Sequence, residues 1–109
     1  TKKKVNDAVD FIDSNYSRID MSLNLVADTI GVNASYLSNI FKKEKGCSLS
    51  KYLTQTRLEQ AKKYLTEYPD KTLIEIAESI GYSDVYYFSK NFKKYYGISP
   101  SKYQEERKM

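Results

Sequence analysis

Two short sets of polar side chains recur with the spacing of a single helix face: Ser35, Ser38, Asn39 and Lys42, and Tyr86, Ser89, Lys90 and Lys93. Hydroxyls, a carboxamide and ammonium groups donate hydrogen bonds and neutralise anions, so this is binding chemistry rather than proton transfer. The doublets Lys42-Lys43 and Lys93-Lys94 concentrate positive charge beside both sets. Covalent and acid–base chemistry has much less to draw on. The chain contains no histidine, which removes the commonest general base and the commonest metal ligand. Cys47 is the single thiol and has no disulfide partner in the chain. Lys45 and a helix start at Ser48 are the features that could activate it, but a lone cysteine between Gly46 and Ser48 reads as inert packing. The chain is therefore read as not an enzyme, with no metal and no cofactor.

The polymer is one ordinary domain in length at 109 residues, with 40% hydrophobic and 29% charged residues. No apolar run approaches the roughly 20 residues that span a bilayer. The basic opening Thr1-Lys-Lys-Lys4 lacks the apolar run and cleavage site of a signal peptide. No membrane and a cytoplasmic setting are the expectation. Net charge is +4, and its distribution says more than its total. Residues 5–32 set Asp7, Asp10, Asp13, Asp20 and Asp28 against Arg18, and residues 67–83 set Glu67, Asp70, Glu75 and Glu78 against Lys71. The segments 33–66 and 84–104 are basic instead, so positive charge comes in two blocks suited to an anionic partner.

The blocks belong to an internal duplication. At an offset of 50, Leu23, Ala27, Ile30 and Gly31 meet Leu73, Ala77, Ile80 and Gly81. At an offset of 51, the run from Tyr36 through Phe41, Lys42, Lys43 and Gly46 to Tyr52 meets the run from Tyr87 through Phe92, Lys93, Lys94 and Gly97 to Tyr103. One additional residue just after Gly81 reconciles the two offsets, which chance likeness between amphipathic helices does not explain.

Helical periodicity runs throughout, and the class is all-α. Val5, Ala8, Val9, Ile12 and Tyr16 make the first apolar stripe. A second helix follows Ser22 as N-cap, with Met21 and Val26 as a hydrophobic staple, and Gly31 ends it. Asn33 caps a third helix that Gly46 terminates, and Ser48 caps a long fourth helix over about 49–67, closed by Pro69. In the second copy Thr72 and Glu75 have capping-box spacing, either Ser83 or Asp84 caps a sixth helix, Gly97 ends it, and Ser99-Pro100 opens a seventh. Leu49, Leu53, Arg57, Ala61 and Leu65 share one row of the fourth helix, which gives Arg57 a structural role between lobes in preference to contact with a ligand. Of the eleven tyrosines, Tyr36, Tyr52, Tyr64, Tyr87 and Tyr103 occupy apolar or repeated positions and are expected in the core.

A helix-turn-helix needs a small residue where its helices approach, a turn glycine and an aliphatic or aromatic lock on the second helix. Ala27, Gly31 and Leu37 supply these, then Ala77, Gly81 and Phe88. In both copies the first helix is acidic and the second basic, the polarity wanted if only the second enters the major groove of DNA.

The stretch Ala77-Glu-Ser-Ile-Gly-Tyr-Ser-Asp-Val-Tyr-Tyr-Phe-Ser-Lys-Asn-Phe-Lys-Lys-Tyr-Tyr-Gly-Ile-Ser-Pro-Ser-Lys-Tyr103 closely resembles the C-terminal signature of the AraC/XylS family of bacterial transcription regulators. Tyr36-Leu-Ser-Asn-Ile-Phe-Lys-Lys-Glu-Lys-Gly46, followed by Arg57-Leu-Glu-Gln-Ala61, resembles the preceding half. The resemblance covers about residues 5–103. It implies seven helices in two helix-turn-helix lobes joined by the long central helix, and sequence-specific binding of double-stranded DNA that regulates transcription. It also implies that the third and sixth helices enter successive major-groove segments. Residues 1–109 are then a single DNA-binding domain, with a first lobe over 5–47, a linking helix over 48–68 and a second lobe over 69–109.

Matching the family's groove-facing positions assigns base contacts to Ser35, Ser38 and Asn39 on the third helix and to Tyr86, Ser89 and Lys90 on the sixth. Lys42, Lys43, Lys93 and Lys94 are assigned to phosphates, together with the helix N-termini at Ser48 and Ser99. Where the family often has arginine, this chain has Lys90 and Gln104. Lysine lacks the planar fork that reads guanine with two bonds, so base preference does not transfer. The family resemblance further implies a regulatory domain of the same parent chain, outside these residues, and RNA polymerase as a compatible partner. The rival reading is a protein-interaction adaptor without direct DNA readout, whose mark is an exposed apolar groove.

Overall fold

A computed structural model of the chain describes residues 1–108. Among them the regular structure is helical throughout: α1 (Lys2–Asn15), α2 (Leu23–Ile30), α3 (Ala34–Lys45), α4 (Leu49–Glu67), α5 (Leu73–Ser79), α6 (Val85–Tyr96) and α7 (Pro100–Arg107). They form two compact units that divide between Thr56 and Arg57, within α4. The linking helix expected over 48–68 thus gives its first half to one unit and its second half to the other. The second lobe was expected to run to Met109, which lies outside the described residues.

The first unit is a three-helix packing completed by the start of α4. Its core gathers Val5, Ala8 and Ile12 of α1, Val26 and Ala27 of α2, Leu37, Ile40 and Phe41 of α3, and Leu49 and Leu53 of α4. The α2 start shows how local chemistry sets direction. Ser22 Oγ accepts from the Leu25 amide at 3.1 Å, and the flanking Met21 and Val26 are both buried, as a staple requires. At its other end, Lys4 Nζ from α1 donates to the Ile30 carbonyl at 3.2 Å, placing a cation on the negative end of the helix. Tyr52 packs edge-on against Phe41 and sends its hydroxyl to Asp13 at 2.9 Å.

The second unit repeats the plan. Its buried residues are Leu58, Ala61 and Leu65 of α4, Ile76 and Ala77 of α5, Phe88 and Phe92 of α6, and Pro100 and Tyr103 of α7, with Ile80 and Tyr82 between α5 and α6. The α5 helix has only 7 residues, too few to hold itself together by propagation. A reciprocal capping box secures it: Thr72 Oγ1 accepts from the Glu75 amide at 3.1 Å, and Glu75 Oε1 accepts from the Thr72 amide at 2.9 Å. The backbone amide of Thr72, and after it the Thr72 hydroxyl, hold the Glu75 carboxyl below its ordinary value. Gln104 of α7 donates to the Lys71 carbonyl at 2.7 Å, fixing the start of α5 from a distance of 33 positions.

The duplication extends to individual hydrogen bonds. Gly31 and Val32 donate to Asp28 and Ala27 at 3.3 and 3.0 Å, and at an offset of 50 Gly81 and Tyr82 donate to Glu78 and Ala77 at 3.2 and 2.9 Å. After the turn the offset is 51: Gly46 donates to Lys42 and Gly97 to Lys93, with φ of 76° and 77°. The additional residue therefore lies between Gly81 and the α6 cap. That cap is Asp84 rather than Ser83, since its carboxylate accepts from the Tyr86 amide at 2.9 Å.

Two of the five tyrosines expected in the core are not there. Tyr103 is buried and Tyr52 and Tyr64 are partly buried, but Tyr36 is 46% and Tyr87 57% exposed. Both stand in the first turn of α3 and α6, beyond the buried rows that begin at Leu37 and Phe88. Recurrence in both repeats marked a conserved position within the duplication, not burial.

Candidate nucleic-acid interface

On α3, the buried row Leu37, Ile40 and Phe41 fixes the rotation of the helix. With about 100° per residue, this leaves Ser35, Ser38, Asn39 and Lys42 together on the outer side, and all four are exposed. On α6, Phe88 and Phe92 do the same work. Tyr86, Lys90 and Lys93 are exposed and Ser89 is half-buried at the edge of the stripe. Tyr86 projects furthest, at 84% exposure. The structure thus brings each expected set together on one helix face, once in each unit.

The supporting helices differ in charge from the helices they carry. The α2 segment holds Asp28 and no base, and α5 holds Glu75 and Glu78 and no base. The α3 segment carries Lys42, Lys43 and Lys45 against Glu44, and α6 carries Lys90, Lys93 and Lys94 with no acid. Among the described residues no ion pair engages Lys42, Lys43, Lys90, Lys93 or Lys94, in contrast to Lys3, which pairs with Asp7, and Arg18, which pairs with Asp20. Lysines at a helix C-terminus complement the macrodipole, and that alone accounts for some positive charge in the last turns. It does not account for Lys90, which stands in the middle of α6.

The two N-termini assigned to phosphate are unequal. Ser48 Oγ accepts from the Lys51 amide at 3.1 Å and Ser99 Oγ from the Lys102 amide at 3.2 Å, so each hydroxyl already serves its own helix. At α7 the first position is Pro100, which has no N–H to offer, and Ser99 also lies 3.3 Å from the Ser101 hydroxyl. The α4 start retains more donors for an outside anion than the α7 start does.

Arg57 is part of the second unit's scaffold rather than of the exposed stripe. Its guanidinium lies 5.6 Å from the centroid of the Tyr82 ring, and burial lowers its pKa from the ordinary value, with Tyr82 opposing. Tyr82 in turn receives a bond from Asn91 Nδ2 of α6 at 3.3 Å, so the residue beneath the α6 turn is held by polar contacts invisible in the periodicity. The tyrosines at the far end of α6 are equally structural. Tyr96 packs on Phe92 at 4.8 Å beneath Lys62, and burial, aided by Glu59, pushes its phenol up to about 12. Among the described residues no group of acidic, cysteine or histidine side chains could hold a metal ion, and none of the helices is long and apolar enough to cross a membrane.

Residues 26–106 match a sequence family described as a helix-turn-helix domain. A probable transcription factor of Proteus vulgaris, PqrA, is 32% identical over 96% of this chain and 86% of its own length. The chain belongs to the AraC-type helix-turn-helix family. The Msm operon regulatory protein of Streptococcus mutans is 39% identical over 97% of the chain. The C-terminal domain of AraT, a response regulator from Geobacillus stearothermophilus, superposes with a TM-score of 0.92 at 38% identity, covering 95% of this chain and 85% of that one. This AraC-type domain spans only 37% of the Msm operon regulatory protein. The expected class of seven helices and no strand is that of the family.

Proposed function

We propose that this AraC-type domain binds double-stranded DNA in a sequence-specific manner and thereby regulates transcription, with α3 and α6 each entering a separate major-groove segment. The observation that carries the reading is the recurrence, on the second helix of both helix-turn-helix units, of an exposed polar stripe whose lysines have no internal ion pair. Ser35, Ser38 and Asn39 on α3, and Tyr86, Ser89 and Lys90 on α6, meet base edges. Asn39 is suited to adenine, whose N6 and N7 match a carboxamide, and Lys90 to the acceptors of guanine. Lys42, Lys43, Lys93 and Lys94 neutralise phosphates, helped by the α4 N-terminus at Ser48 and more weakly by the α7 N-terminus at Ser99.

Residues 1–109 act as one DNA-binding domain, with lobes over 5–47 and 69–109 and the linking helix over 48–68. A parent chain supplies a regulatory domain outside these residues, in the cytoplasm, and RNA polymerase is a compatible partner on DNA. Selection of duplexes from a random pool by the 109-residue chain tests the reading. A shared motif should emerge and should bind more tightly than its scrambled version. Recovery of no motif, together with an affinity for random duplex that is insensitive to salt, would favour a protein-interaction adaptor instead.

A further inference from the structure

Resting on the DNA-binding reading, we infer that Tyr36 and Tyr87 are matched phosphate clamps, one beside each recognition stripe. Three features of the pair point to the same role. They stand at equivalent positions in the duplication, 51 apart, at the third position after the caps Asn33 and Asp84. Both are exposed, at 46% and 57%, despite being large aromatic residues that gain by burial. Neither phenol hydroxyl has a hydrogen-bond partner among the described residues.

Their angular position supplies the rest. At about 100° per residue, Tyr36 lies roughly a quarter turn from the centre of the Ser35–Ser38–Asn39–Lys42 stripe. Lys43, seven positions on, lies on the same flank, about 10 Å further along the helix axis. Tyr87 and Lys94 reproduce that pair on α6, and both lysines are exposed. A helix whose stripe faces the floor of the major groove turns such a flank toward a wall, where the phosphates run. A tyrosine near the N-terminus and a lysine two turns later would grip one strand at two points. Tyrosine hydroxyls are competent phosphate donors. The ring of Tyr87 is held in place edge-on to Tyr82 at 5.9 Å, which limits what is lost in ordering it.

A neutral donor releases no counterion, and this separates the clamp from a lysine contact. In the 109-residue chain, Tyr36→Phe and Tyr87→Phe should each weaken a selected duplex about tenfold at every salt concentration, with the slope of log K against log salt unchanged. Lys43→Ala and Lys94→Ala should instead flatten that slope by about 0.9 each. Thermal melting of the free protein should not move for either tyrosine variant, since the removed hydroxyls have no internal partner. In a scan of duplexes bearing one uncharged methylphosphonate, the penalty of each Phe variant should vanish at one phosphate position, different for the two. If both Phe variants bind as tightly as the parent while the lysine variants flatten the slope, the clamp is wrong and the DNA-binding reading stands. A penalty that persists at every methylphosphonate position would also overturn it. If the unaltered chain binds no duplex, both readings fall together.

Discussion

The lysines of α3 and α6 give the account its most quantitative consequence. Lys42, Lys43, Lys93 and Lys94 are exposed and have no ion pair to surrender among the described residues, so each is free to neutralise a phosphate at full effect. With about 0.9 in slope for each neutralised phosphate, these four impose a slope of roughly −3.6 in log K against log salt. Between 50 and 200 mM salt the affinity should then fall by about 150-fold, and each lysine accounts for a factor of about 3.5 of that. Lys93→Ala should flatten the slope by about one unit and weaken selected and scrambled duplexes alike, because phosphates carry no sequence. Fluorescence anisotropy of a labelled duplex, titrated at five or more salt concentrations, reads both quantities. A slope near zero would remove the electrostatic basis of the account, and an unchanged slope in Lys93→Ala would return that residue to a solvated helix face.

Other consequences concern the scaffold. Gly31 has φ of 76° and open space where a Cβ would stand, so Gly31→Ala should cost about 1–2 kcal/mol of backbone strain, offset in part by the stiffer unfolded chain, and Gly31→Val more; chemical denaturation measures both, and an unchanged midpoint would contradict the αL cap. Phe88→Ala empties a fully buried position that packs between Tyr82 and Phe92 and should cost about 3–5 kcal/mol, a loss that denaturation would show and that a cost under 1 kcal/mol would refute. Because the Glu75 pKa is lowered in the folded chain, its contribution is present above the unfolded carboxylate value and is lost as pH falls through the folded one. Protection of the Thr72 amide, taken as its exchange rate relative to the intrinsic rate at each pH, should therefore fall in acid, and Glu75→Gln should blunt that dependence; protection indifferent to acid would argue against the capping box.

Helix boundaries were the most legible part of the fold, because the residues that stop and start helices act locally. Ser22, Asn33, Ser48, Thr72 and Ser99 cap from within three residues of the amides they serve, and Gly31, Gly46 and Gly97 adopt positive φ where no other side chain is comfortable. The choice between Ser83 and Asp84 was open in the sequence because both residue types can accept from amides two or three positions on; the bonds from the Tyr86 and Tyr87 amides to the Asp84 carboxylate decide it. Contacts across long separations were not legible. Tyr52 to Asp13, Gln104 to Lys71 and Arg57 over Tyr82 join segments whose approach is set by core packing, and periodicity within one helix carries no trace of them.

The exposed polar stripes were legible because burial of Leu37, Ile40 and Phe41, and of Phe88 and Phe92, dictates by angle alone which residues face outward. The exposed tyrosines were not, for an amphipathic ring fits a core and a wet surface equally well. Its recurrence at Tyr36 and Tyr87 is as consistent with a duplicated contact as with duplicated packing. Only the rotation of the first turn, fixed by the caps Asn33 and Asp84, separates the two.

The central claim is that two units of one chain each read their own stretch of DNA. Binding of Asn39→Ala and Lys90→Ala to a complete set of single-base variants of the selected duplex tests it directly. Each substitution should relax preference at a different cluster of base pairs, costing about 1–3 kcal/mol at the contacted position and leaving discrimination at the other cluster intact. Loss of preference by both variants at the same base pairs, or by neither at any, would contradict the tandem reader.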